Sequence, residues 1–310
     1  MNKFLCFILS VYFSTIILTP PAGAQENNIT QPQDNGVHLI LDSTRYKEMP
    51  RNFRKSNDAI NTKLYKNINT KGLKNLNISG SAQFSGFSLP KVIKAIDHPN
   101  IISVDLRQES HGFINGLPVS WIGIKNNANE GLSREEVIQI TTERLNSIVI
   151  GVPIAFFNHP DIRVVPKVVM DEKQLTSKNN VGYEFIPVTD GKIPTVEMVD
   201  FFINFVKNQP KDSWLHFHCK EGIGRTTTFM ILYDMMKNYS VATEEELINR
   251  QIALVQFDKD HAESFLNRNR VKLFQLFYDY CKSQGPEFNT SFSEYLKGIN
   301  ESLPENRMAS

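Results

Sequence analysis

The sequence predicts an α/β fold: a central, mostly parallel sheet flanked by helices, with a small β-rich portion inserted. Three observations carry this. Ile101-Ile102-Ser103-Val104-Asp105-Leu106 is a near-continuous apolar run, as expected of a strand buried on both faces. Strand-like runs alternate with segments opened by helix caps, the order that a parallel sheet with crossover helices requires. Between Val152 and Val188 that alternation stops, and short β-type runs follow one another.

With 310 residues, 41% apolar and 22% charged, the chain has the composition of a folded protein and the length for one or two cores. Lys and Arg number 34 against 33 Asp and Glu. No overall field therefore recruits nucleic acid, and an anionic partner has to be captured by local clustering.

The first residues read as a signal peptide. Lys3 gives a positive start, Phe4 to Leu18 is mostly apolar, and Ala22-Gly23-Ala24 fits a small-x-small cleavage site. The apolar run, about 15 residues, is short of the roughly 20 that span a bilayer. The expectation is an exported protein, periplasmic or secreted, cleaved after Ala24 and not inserted in a membrane. Cleavage takes away one Lys, no acid and Cys6, leaving Cys219 and Cys281.

Residues 25–45 read as a polar, flexible leader, although Val37 to Leu41 has the pattern of a first strand. Leu89 to Asp97 reads as a short helix, and Leu117 to Ile124 as a strand. Ser133 and Glu136 form a capping box that opens a helix to about Ile150. The β-type runs Ile154 to Phe157, Arg163 to Met170 and Tyr183 to Val188 follow. Thr195 caps a helix to about Lys207. Trp214 to His218 is a strand, and Thr226 to Asn238 a helix. Two further capping boxes stand at Thr243/Glu246 and Ser291/Glu294. A helix from about Ala262 to Lys282 places Phe265, Val271, Phe274, Phe277 and Tyr278 at the spacing of a core-facing stripe. Cys281 lies in it and is expected to be a buried, inert thiol. The division this suggests is a core of 46–112 and 184–310, with a β-rich insertion at 113–183.

One segment carries chemistry: His218-Cys219-Lys220-Glu221-Gly222-Ile223-Gly224-Arg225-Thr226, between a strand and a helix. Backbone N–H groups of a glycine-containing loop over a helix N-terminus form an anion cradle. Gly222 and Gly224 let that backbone approach a ligand. Arg225 can fork two donors onto phosphate oxygens. Cys219 sits in the same positive field, which favours its thiolate. A thiolate beside a bound phosphate is a nucleophile aimed at phosphorus. Lys220, Glu221 and Ile223 complete the cradle, and Lys220 adds to its field.

The Cys-x5-Arg loop resembles the signature of cysteine-dependent protein tyrosine phosphatases. Arg51-Asn52-Phe53-Arg54, Ile78 to Ser85, Val104 to Phe113 and Trp214 to Thr227, in this order, are similar to bacterial protein-tyrosine-phosphatase-like phytases. The resemblance covers about residues 50 to 300. It implies a phosphatase-like α/β core with a small partial β-barrel domain. It also implies stepwise removal of phosphate from myo-inositol hexakisphosphate by an exported enzyme, with no metal and no other cofactor.

The general acid belongs on a separate element above the cradle. Thr189-Asp190-Gly191-Lys192-Ile193-Pro194-Thr195 lies between a strand and a capped helix, where Asp190 is either a turn residue or the acid; the resemblance implies the acid. Many relatives have His after this Asp, where this chain has Gly191. The resemblance also makes Arg54, followed by Lys55, a ligand of substrate phosphate. It places basic residues that hold remote phosphates near Arg268, Arg270 and Lys272, although Glu263 and Asn267 stand where some would be expected. Asp105 and Arg107 end a strand, where α/β sites form; they either orient substrate or pair with each other, and His111 is a candidate for the same network. His218 is expected to fix the loop by hydrogen bonds. Thr226 is placed to hydrogen-bond the thiolate or to help release it.

H-E-x-x-H, paired C-x-x-C, G-x-S-x-G and G-x-x-x-x-G-K-[ST] are all absent, and the seven His are scattered. The loop's chemistry points to a phosphomonoesterase with a phosphocysteine intermediate, and the resemblance implies an inositol polyphosphate substrate. The alternatives are the same chemistry on phosphotyrosine or phosphoinositides, and a catalytically silent phosphate-binding module.

Overall fold

The computed structural model describes residues 36–61, 65–123 and 125–304. The expected signal peptide and most of the expected leader lie outside them. In chain order the elements are β1 (His38–Leu41), β2 (Arg54–Lys55), β3 (Ile78–Ala82), α1 (Leu89–Ile96), β4 (Ile101–Arg107), β5 (His111–Ile114), β6 (Leu117–Ile122), α2 (Arg134–Asn146), β7 (Ile154–Phe156), β8 (His159–Val164), β9 (Val169–Met170), α3 (Glu172–Lys178), β10 (Gly182–Val188), α4 (Val196–Asn208), β11 (Trp214–Cys219), α5 (Gly224–Asn238), α6 (Glu244–Val255), α7 (Lys259–Phe265), α8 (Arg268–Gln284) and α9 (Phe292–Gly298).

The main sheet has the order β10-β4-β11-β3-β2. Its first four strands are parallel, and β2 closes one edge antiparallel to β3. The α/β class predicted from the apolar runs is the class observed. β11 lies in the middle, with His218 opposite Asp105 on β4 and Cys219 opposite Ala82 on β3. Strands pair with both of its edges and packed side chains cover both of its faces, and every residue of it is buried. The nucleophile candidate thus stands at the carboxyl end of the central strand, where open α/β sheets form their sites.

One large apolar core packs β11, β4 and β10 against the helices: Phe217, Val104 and Ile186 meet Phe202 of α4, Phe229 of α5 and Phe274 of α8. A smaller core beneath the other face joins Phe84, Val92, Phe113, Leu175 and Trp214. The β-rich portion forms an antiparallel sheet, β1-β6-β5-β9, and a hairpin, β7-β8. Trp121, Phe156 and Leu145 of α2 fill its interior. The segment between β4 and β5 passes directly from the first sheet to the second, which brings Glu109 against Arg225.

Three expectations change. The end of the stretch taken as leader is a sheet strand, because β1 pairs with β6 along its whole length. The β-rich portion contains a helix, α3, opened by a capping box in which Asp171 accepts from Gln174 N. The long C-terminal helix is two helices, because the Asn267 side chain accepts from the backbone of Asn269 and Arg270 and starts α8 anew. Phe265, Phe274 and Phe277 are buried as expected, whereas Val271 faces solvent. The boxes at Ser133, Thr243 and Ser291 all form.

Candidate active site

The loop from Cys219 to Arg225 turns tightly between β11 and α5. Gly222 has φ +72°, and a Cβ there would lie 2.2 Å from both Ala82 N and Ser81 C. Only glycine fits this turn, which lays the loop on the end of β3. The Cys219 sulfur accepts from Gly222 N and Thr226 Oγ1, each at 3.2 Å. Thr226 therefore holds the thiol from the first turn of α5. Arg54 closes the loop from below: Nη1 donates to the carbonyl oxygens of Asn52 and Gly222, and Nη2 to Thr227 Oγ1, each at 2.9 Å. Glu221 reaches outward to Arg51 at 2.8 Å, and its carbonyl accepts from Asn52 Nδ2. Ile223 is the residue before the first turn of α5.

Arg225 is buried and held from three sides. Nη1 donates to Glu109 Oε2 at 2.7 Å and to Val188 O at 2.9 Å, and Nη2 donates to Glu109 Oε1 at 3.1 Å. Nη2 also lies 3.0 Å from Asp190 Oδ1. Its Nε is buried with no partner in the protein, a donor left over for a ligand. Burial works against the guanidinium's charge, but Glu109, Cys219 and Asp190 hold its pKa above the usual arginine range. Burial likewise pushes Glu109 up, but Arg225 and Arg107 outweigh it and keep that carboxyl well below the usual range. Asp190 is about half exposed. Asn126 donates to its Oδ2 at 3.3 Å, and the Thr189 hydroxyl donates to Gln108. Lys220 bends back, with Nζ 3.2 Å from Asn126 Oδ1 and 3.7 Å from Asp42 Oδ1.

Beneath the loop lies a second, fully buried layer. His218 Nε2 is 2.6 Å from Glu172 Oε1, and His111 Nε2 is 2.9 Å from Asp105 Oδ2. Tyr183 donates to Asp105 at 2.9 Å, and His111 Nδ1 faces Glu109 O at 2.8 Å. Both ring nitrogens of His111 thus face oxygens, which calls for the doubly protonated ring. Burial opposes that charge, but Asp105 overrides it and raises the pKa to about 10. Among the described residues, Asp105, Glu172 and His218 offer ligand atoms within 4.8 Å of one another. Their oxygens already accept hydrogen bonds, and the 2.6 Å His218–Glu172 contact is tighter than two ligands on one tetrahedral ion.

The structure thus brings together Cys219, Lys220, Gly222, Gly224, Arg225, Thr226, Asp190 and Arg270. Arg270 stacks on Phe265 and donates to Thr228 Oγ1 at 3.2 Å. Its Nη2 stands 3.3 Å from the place a Cβ on Gly224 would take. Several expected ligands are elsewhere. Arg54 is 3% exposed and grips the loop's carbonyls rather than its mouth. Lys55, the next residue on β2, points to the opposite side and donates to Ala95 O at 2.9 Å. Asp105 is buried in the layer below. Arg268 is exposed on α8, and Lys272 pairs with Glu301 at 3.2 Å. Arg107 does not pair with Asp105 through its side chain; its guanidinium takes Glu109, Asp42 and Gln83. Glu109, Asn126 and Glu172 are site residues that the sequence reading missed. Glu109 stood inside a motif already singled out; no pattern marked the other two.

Comparison with known proteins agrees with this geometry. Residues 156–237 match the family of PTP-like phytases, described by inositol hexakisphosphate. The effector protein HopD2 of Pseudomonas syringae pv. tomato is 29% identical over 269 residues, 80% of this chain and 56% of that protein. The PTP-like myo-inositol phosphatase of Mitsuokella multacida, solved in complex with myo-inositol-(1,3,4,5)-tetrakisphosphate, is 28% identical with a TM-score of 0.77. The match covers 89% of this chain and 50% of that one, so the chain spans about half the length of these two relatives. A PTP-like phytase from Bdellovibrio bacteriovorus is 30% identical with a TM-score of 0.70, over 87% of this chain and 99% of that one. With a common fold along nearly the whole of that relative, and the Cys-x5-Arg loop at its sheet's centre, this chain belongs to the protein-tyrosine-phosphatase-like phytases.

Proposed function

We propose that the protein is a metal-independent phosphomonoesterase that removes phosphates stepwise from myo-inositol hexakisphosphate through a phosphocysteine. The observation that supports it best is the meeting of three groups. The Cys219 sulfur sits on the loop amide of Gly222, Arg225 interacts electrostatically with that sulfur and keeps a buried Nε without a protein partner, and the Asp190 carboxyl lies 3.0 Å from that arginine. In this reading Cys219 attacks phosphorus, the S–P bond forms and the P–O bond to the ring breaks. Loop amides and Arg225 stabilise the equatorial oxygens. Asp190 gives its proton to the departing inositol oxygen, then takes one from the water that attacks phosphorus and restores the thiolate. Lys220 and Arg270 supply positive charge at the rim for the remaining phosphates. The division into a core and an insertion at 113–183, and export after cleavage at Ala24, are part of the same reading.

The test is phosphate release from inositol hexakisphosphate and from a phosphotyrosyl peptide, with and without excess EDTA. Turnover of the inositol phosphate that survives EDTA and is abolished by Cys219→Ser is the expected result. Preference for the peptide would reassign the substrate, and turnover retained by Cys219→Ser would overturn the phosphocysteine.

A further inference from the structure

Glu172 lies outside the catalytic loop, at the first position of α3. It is buried, and donors from four separate elements converge on it. His218 Nε2 of β11 stands at 2.6 Å and Ser103 Oγ of β4 at 3.2 Å, both on Oε1. Gln83 Nε2, just after β3, is 2.9 Å from Oε2, and His111 Nε2 of β5 is 3.7 Å from it. A group that meets donors at both oxygens has to be an acceptor at both, and among side chains of this length only an ionised carboxylate is. Burial pushes Glu172 up, but the two imidazoles outweigh it and keep the carboxyl well below its usual range.

The acceptor also decides the state of His218. Facing a carboxylate, its Nε2 must carry hydrogen, so both the tautomer and the ring plane are fixed by Glu172. The next residue in the chain is Cys219. We propose that Glu172 is a positioning residue for phosphoryl transfer. It locks His218 from the insertion and so holds the end of β11 where the Cys219 sulfur meets Gly222 N–H and Thr226 O–H. The proposal rests on the reading of Cys219 as nucleophile, and it ties the β-rich portion to catalysis. The charged groups around this axis are Arg54 from β2, Arg225 from α5 and Arg270 from α8 near the sulfur, and Asp105 and His111 near the His218–Glu172 pair; His216, also beside the pair, is held neutral by burial.

The experiment uses Glu172→Gln, His218→Asn and the double variant of the full chain. Two quantities are read: the pH midpoint of Cys219 alkylation by iodoacetamide, and kcat on p-nitrophenyl phosphate. An amide at 172 carries no charge and accepts at one end only, so His218 loses its charge-assisted bond and keeps at most a neutral one. The loop hydrogen bonds that stabilise the thiolate then loosen. The alkylation midpoint should rise by about half a pH unit or more, and kcat should fall about tenfold or more with little change in KM. The double variant should lose no more than the worse single one, because both cut the same bond. An unchanged midpoint in Glu172→Gln, or losses that multiply in the double variant, would overturn the proposal. If Glu172→Gln does not accumulate as folded protein, His218→Asn cuts the bond from the other end and has to raise the midpoint by itself. Alkylation needs no substrate, so a wild-type protein without turnover would defeat the functional reading while leaving this test intact.

Discussion

Asp190 Oδ1 lies 3.0 Å from Arg225 Nη2, so the acid candidate and the guanidinium proposed to bind phosphate touch across the mouth of the site. They come from different elements: Asp190 follows β10, and Arg225 opens α5. Val188, two residues before Asp190, accepts from the same guanidinium. Arg225 therefore holds the strand end that carries the acid as well as the acid itself.

The first prediction follows from that contact. Asp190→Asn keeps the shape and a hydrogen bond to Arg225 but has no proton to give. Turnover of inositol hexakisphosphate, whose alkoxide leaving group needs protonation, should fall about 100-fold or more. Turnover of p-nitrophenyl phosphate, whose leaving group departs as a stable anion, should fall far less. Equal losses on the two substrates would show that Asp190 supports the loop instead of the leaving group.

Glu109 supports the second prediction. It accepts from Arg225 at 2.7 Å and from Arg107 at 2.9 Å, with no exposure to solvent on its side chain. Glu109→Gln leaves two buried guanidinium groups short of an anion and should cost about 3–5 kcal/mol. The sign with pH is set by the lowered pKa. A carboxyl depressed on folding stabilises above its unfolded pKa, about 4.3, and that stability is lost as pH falls towards the folded value. In urea unfolding the gap between wild type and variant should be full at pH 6–7 and shrink below about pH 4. A gap that widens on acidification would mean that the carboxyl is not held ionised.

How much of this was legible in the sequence depends on distance along the chain. Cys219, Gly222, Gly224, Arg225 and Thr226 are contiguous, and strand-loop-helix geometry follows from local rules, so the cradle could be read directly. Glu172 and Asn126 act on the loop from 47 and 93 residues before Cys219, across a second sheet, and nothing local to them marks a site. Arg54 and Lys55 show a different failure. The sequence gives two adjacent charges, but a strand sends neighbours to opposite sides. One goes under the loop and the other to the end of α1, and neither reaches the mouth. The Ala262 to Lys282 helix failed for a local reason: Asn267 is a strong cap inside an otherwise unbroken helical period.

Arg54 gives the third prediction. As a rim ligand it would serve only the polyphosphate. As the donor to Gly222 O and Thr227 Oγ1 it serves the loop, and burial together with its distance from solvent pulls its pKa down to about 10 against the pull of Cys219. Arg54→Ala should therefore reduce kcat/KM for inositol hexakisphosphate and p-nitrophenyl phosphate alike, by about tenfold or more, and lower thermal stability. A loss confined to the hexakisphosphate would return Arg54 to the rim.

The last prediction concerns what distinguishes a polyphosphate from a single phosphate. Of the three basic residues expected on α8, Lys272 already pairs with Glu301 and Arg268 is exposed, where an isolated charge is worth under about 1 kcal/mol. Arg270 is different. It is only 5% exposed, clamped on Phe265 by stacking and by a bond to Phe265 O at 3.0 Å, and it overhangs Gly224 at the start of α5. Burial lowers its pKa, and the charges of Cys219 and Asp190 oppose that shift. A fixed guanidinium at that place can bind a neighbouring phosphate with little loss of side-chain entropy. Arg270→Met keeps the stacking and removes the charge. KM for inositol hexakisphosphate should rise about tenfold, near 1.4 kcal/mol, with kcat for p-nitrophenyl phosphate within twofold of wild type. Arg268→Ala and Lys272→Ala should change the same KM less than about threefold. Added salt should raise the hexakisphosphate KM more steeply in wild type than in Arg270→Met, since one screened attraction has been removed. Equal salt slopes, or a larger effect from Arg268 or Lys272, would place the polyphosphate against another face of the site.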